Sequence, residues 1–113
     1  MINLFNIPNH TIRTEDLGNH LHGPVVTDFE KEFCDYVGAK YACSLNSATN
    51  AIFLAMERER PQEVTIPSML PPVVFNALHH AGVPVEYRDD TEWVGGSYEL
   101  HDFGDYKIID SAQ

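Results

Sequence analysis

Positive charge is scarce in this chain of 113 residues: 7 lysines and arginines stand against 17 aspartates and glutamates, a formal net charge of −10. The acidic residues are spread along the sequence, so nucleic-acid backbones and anionic bilayers are repelled and neither is expected as a partner. Long apolar runs are missing as well. Nothing approaches the roughly 20 residues of a membrane span, and the start "MINLFNIPNHTIRTED" has neither the basic flank nor the apolar stretch of a secretion signal. A cytoplasmic protein is therefore expected, in which the sequon-like "NHT" at 9–11 carries no meaning. The 2 cysteines, Cys34 and Cys43, form no CxxC or other ligand spacing and read as packing residues. The histidine pairs "HLH" (20–22) and "HH" (79–80) lack the i, i+4 spacing that puts two imidazoles on one helical face, so no metal site is expected.

What the chain does have is 43% apolar residues, enough for one core, and the expectation is a single domain over residues 1–113. In "PVVTDFEKEFCDYVG", Val26, Phe29, Phe33 and Tyr36 share one helical face, and Gly38 ends the helix. "YACSLN" (41–46) reads as a short strand, and "SATNAIFLAMERER" as a helix with Ile52, Ala55 and Met56 at helical spacing, closed by Pro61. "EVTIP" (63–67) reads as a buried strand. "LPPVVFNALHHAG" reads as a helix with prolines in its first turn, Val74, Leu78 and Ala81 inward, and Gly82 as terminator. "VPVEYRD" is a third strand, residues 90–106 a hairpin-like or irregular excursion without a crossover helix, and "YKIID" a fourth strand. Helices alternating with strands predict an α/β fold with a mainly parallel sheet of about four to five strands and helices on its faces.

Two places could carry chemistry. In "SLNSATNAI", Ser47, Ala48 and Thr49 lie where a strand gives way to a helix, and free N–H groups, the helix dipole and two hydroxyls would suit a phosphate. The same residues also suit an ordinary N-cap. Asp110 ends an apolar strand, at the sheet edge where α/β proteins hold ligands, and a protonated ring nitrogen would partner its carboxylate. A turn cap or a local ion pair would account for it equally well. Asp89 and Asp90 end the third strand rather than the first, which argues against a receiver-type phospho-acceptor pocket.

In order, "GPVVTDFEKEFCDYVGAKYACSLNSATNAIFLAM", "EVTIPSM", "AGVPVEYRD" and "IIDSAQ" resemble the DegT/DnrJ/StrS family of pyridoxal-phosphate-dependent sugar aminotransferases. The resemblance implies part of a PLP-transferase type I large domain. It assigns the cofactor phosphate to Ser47, Ala48 and Thr49, with Ala48 where the family has glycine, the pyridine nitrogen to Asp110, and a contact near the ring oxygen to Gln113. It also implies a nucleotide-sugar substrate and a homo-oligomer, a dimer or larger. The family's stacking aromatic falls where this chain has Leu70, Pro71 and Pro72. The family's catalytic lysine follows the Asp-x-x-Gln segment, and Lys31, Lys40 and Lys107 belong to other positions. The expectation is a truncated large-domain portion that holds pyridoxal 5'-phosphate weakly or not at all and has no catalytic residue of its own. The alternative is a shortened, non-catalytic binding or assembly module of the same descent.

Overall fold

The computed structural model describes residues 23–91, 93–94 and 96–111. The chain divides into two compact units, residues 1–44 and 45–113. In the first, helix α1 spans Pro24–Val37, with proline in its opening turn and Gly38 in the left-handed conformation (φ 71°) as its stop. The face carrying Val26, Phe29, Phe33 and Tyr36 forms as the spacing predicts, yet α1 has no buried residue. Residues 41–46 are not a strand. A strand exists only where a neighbour completes its ladder, and here the Ser44 N–H and hydroxyl both donate to the Glu30 carboxylate, each at 2.7 Å. Those two bonds hold the Glu30 carboxyl below its ordinary range. Cys43, expected to pack, is exposed.

The second unit carries helix α2 (Ala48–Glu59), strand β1 (Val64–Pro67), helix α3 (Pro72–His80), and strands β2 (Val85–Arg88), β3 (Tyr98–Asp102) and β4 (Lys107–Asp110). α2 ends at Arg60, which takes a left-handed conformation (φ 46°) costly for a side chain; its guanidinium reaches back to the Glu57 carbonyl and carboxylate. α3 begins behind Pro71 and Pro72 and ends with His79 and His80, which complement the negative helix end, before Gly82 turns the chain. α2 packs on α3, and α3 on β2. The core draws Ile52 and Met56 from α2, Val64 and Ile66 from β1, Val74, Ala77 and Leu78 from α3, and Tyr98 and Leu100 from β3.

The strands correct the expected architecture. β1 and β2 pair in parallel across α3, Val64 opposite Val85, as the helix-strand rhythm implies. The remaining described strands do not extend that sheet: β3 and β4 form a separate antiparallel pair, giving two two-stranded sheets instead of one mainly parallel sheet. The reason is connection length. A parallel return needs a crossover of a dozen or more residues, whereas only residues 103–106 join β3 to β4, closed by the Phe103 N–H to Tyr106 carbonyl bond and by the stacked Phe103 and Tyr106 rings 4.9 Å apart. The excursion read at residues 90–106 thus contains a strand, β3, and the expected fourth strand, β4, is its hairpin partner. Among the described residues no helix is long and apolar enough to cross a membrane.

Candidate functional site

The start of α2 and the end of β4 meet at one cleft of about 340 Å³, lined by Ala48, Ala51, Ile52, Ala55, Ile108 and Asp110 among others. Small alanines on one side of α2 leave the room, and isoleucines make the walls apolar. Ser47 caps α2: its hydroxyl accepts the Asn50 N–H at 3.2 Å and its carbonyl accepts the Ala51 N–H. That leaves the Ala48 and Thr49 N–H groups as the helix donors without an intrahelical acceptor. The capping reading of Ser47 is thus realised, and the free donors that a phosphate needs lie one and two residues further on.

Asp110 is the buried charged residue among those described, 9% exposed. Tyr98, 5% exposed and directly opposite it in the hairpin register, donates its hydroxyl to Asp110 Oδ2 at 2.8 Å. Burial first, then this hydrogen bond and the Asp110 charge, push the Tyr98 phenol well above the ordinary tyrosine range; Arg88 pulls weakly the other way. Trp93 packs edge-on against the Tyr98 ring at 6.0 Å and donates its indole N–H to the Asp90 carbonyl, and Asp90 pairs with Arg88 at 3.1 Å. Beside the pair, the hydroxyls of Ser97 and Ser111 lie 2.7 Å apart.

Of the residues singled out in the sequence, then, Ala48 and Asp110 share a cleft. Thr49 lines a different one of similar size, between α2 and α3, with Asn50, Phe53, Asn76, Ala77 and His80. Gln113 lies outside the described residues. Tyr98 was not singled out. Its signal was the alternation in "SYELH", where Tyr98 and Leu100 are buried and Glu99 is exposed, but only the register identifies Asp110 as its partner.

The model of the DegT/DnrJ/EryC1/StrS aminotransferase family matches residues 7–89. A UDP-4-amino-4,6-dideoxy-N-acetyl-beta-L-altrosamine transaminase of Campylobacter jejuni is 41% identical over 71 residues, 59% of this chain and 18% of that protein. The spore coat polysaccharide biosynthesis protein SpsC of Bacillus subtilis is 40% identical over 76 residues, 62% of this chain and 19% of that protein. The chain thus spans less than a fifth of the length of the curated relatives it matches, and no solved structure gives a significant match. With the family pattern running through α1, α2, β1, α3 and β2, the chain belongs to the DegT/DnrJ/EryC1/StrS aminotransferase family.

Proposed function

We propose that this chain supplies the cofactor-holding part of a PLP-transferase type I large domain in a sugar aminotransferase, with pyridoxal 5'-phosphate held between the start of α2 and the end of β4. The observation that carries the reading is that a buried carboxylate, Asp110, and the helix-start residue Ala48 line one apolar cleft. The donor set fits the cofactor in part: a carboxylate for a protonated ring nitrogen, apolar walls for the ring, and the N–H groups at the start of α2 for the phosphate, whereas the Ser47 hydroxyl is taken by its cap and Thr49 lines the neighbouring cleft. When bound, pyridoxal phosphate supplies an electron sink for chemistry at the amine-bearing carbon. In this chain Asp110 would keep the ring nitrogen protonated, and Ile52 and Ile108 would keep water from the ring. Gln113 is proposed near the ring oxygen by family resemblance.

Transamination also needs a lysine amine as covalent partner and proton carrier. Lys107 does not offer one: its ammonium lies 2.8 Å from both Asp102 and Glu99, and these bonds hold it protonated, above its ordinary range. Lys31 and Lys40 precede the Asp-x-x-Gln segment that the family's catalytic lysine follows. These residues by themselves would hold the cofactor weakly at most and would not complete the reaction. Borohydride reduction with pyridoxal phosphate, followed by peptide mapping, is expected to give no stoichiometric adduct on a single lysine. Asp110→Asn is expected to lower pyridoxal phosphate affinity roughly tenfold while leaving inorganic phosphate binding alone; unchanged cofactor affinity would remove the reading. The substrate proposed is a nucleotide-sugar, in keeping with the name of the Campylobacter relative. Self-association is part of the same proposal, supported by Val25, Phe29, Phe33 and Tyr36 of α1, which are all exposed.

A further inference from the structure

We infer that Tyr98 is a positioning residue for the cofactor ring: from the directly paired place on β3 its hydroxyl fixes the orientation of the Asp110 carboxylate at the cleft. The inference rests on the reading of Asp110 as the ring-nitrogen partner. A carboxylate on a short strand can rotate about its side-chain torsions, and in a cleft its angle decides whether an oxygen meets a ring N–H in line. Here Tyr98 restrains the rotation. Tyr98 Oη donates at 2.8 Å to Oδ2, in a charge-assisted bond shielded from water. The tyrosine is itself held. The residue is 5% exposed, and its ring is met edge-on by Trp93, whose indole N–H is anchored on the Asp90 carbonyl. The strand-end position of both residues is tied by the Ser97–Ser111 hydroxyl contact. A chain of held groups thus runs from Asp90 and Trp93 through Tyr98 to the cleft. Tyr98 lies on the β3–β4 hairpin, beyond the matched residues 7–89.

The test compares pyridoxal phosphate with its analogue carrying carbon in place of the ring nitrogen, because only the former can use a well-aimed Asp110. Binding of each is measured on the full chain by a saturating ligand titration followed by NMR, together with thermal unfolding. The wild type is expected to prefer pyridoxal phosphate, Asp110→Asn to lose the preference, and Tyr98→Phe to reduce it roughly tenfold while binding the analogue as the wild type does. If Asp110→Asn keeps the preference, or the wild type binds neither ligand, the cofactor reading fails and the inference fails with it. If Asp110→Asn loses the preference but Tyr98→Phe keeps it, the inference alone is overturned. Equal losses for both ligands in Tyr98→Phe overturn it too, since Tyr98 would then only support the cleft wall. Should Tyr98→Phe not fold, the chain labelled with fluorotyrosine, a stronger donor, must change the preference; an unchanged ratio overturns the inference.

Discussion

Burying a carboxylate is costly unless donors replace its water, and at Asp110 a phenol does part of that work. The exchange has a pH signature. The folded chain holds Tyr98 neutral beyond the ordinary tyrosine range, so its contribution to stability is complete below about pH 10, the unfolded value, and is lost as pH rises through the higher folded one. Chemical unfolding at increasing alkaline pH should therefore show stability falling above about pH 10, and Tyr98→Phe should flatten that part of the decline. Asp110→Asn should bring Tyr98 ionisation down, because it removes the negative neighbour while leaving the burial; carbon NMR of the labelled tyrosine ring would follow it. A midpoint that stays put would mean that burial alone sets it. Asp110 was legible as a carboxylate at the end of an apolar strand, whereas Tyr98 was not, because a cross-strand partner is fixed by hairpin register and not by spacing along the chain.

The helices were the readable elements. Each has its stop signal in the residues themselves: Gly38 for α1, Pro61 after α2, Gly82 after α3; apolar spacing marked Ile52, Met56, Val74 and Leu78, all buried. The strands were less so, since a four-residue strand is defined by its neighbour. Residues 41–46 have strand composition but give the Ser44 N–H to Glu30, while residues 98–102, read as an excursion, find β4 across a short turn. Two substitutions on α2 separate local from tertiary stabilisation. Ser47→Ala removes the cap on Asn50 and should cost about 1 kcal/mol. Met56→Ala empties a fully buried position in the core and should cost about 2–5 kcal/mol. Denaturant melts of the two variants check the order; a larger loss from Ser47→Ala would mean that α2 is held mainly by its cap.

At the scale of the whole chain, the balance lies between apolar association and a net charge of −10. Exposed apolar side chains on α1 favour burial against another copy at about 25 cal/mol per Å² removed from water, and like charges oppose it. Self-association is accordingly expected to strengthen with added salt, which screens the repulsion. Light scattering over a dilution series at low and high salt measures this, and a monomer at every concentration in both would exclude the assembly. The short β3–β4 turn has a further consequence, in time. A hairpin closed by residues 103–106 needs no distant chain segment and forms within about 1–10 μs, whereas β1 must wait for α3 to bring β2 alongside. Pulse-labelled hydrogen exchange would then find the hairpin amides protected first, so that the carboxylate end of the cleft exists before the helix that faces it has docked.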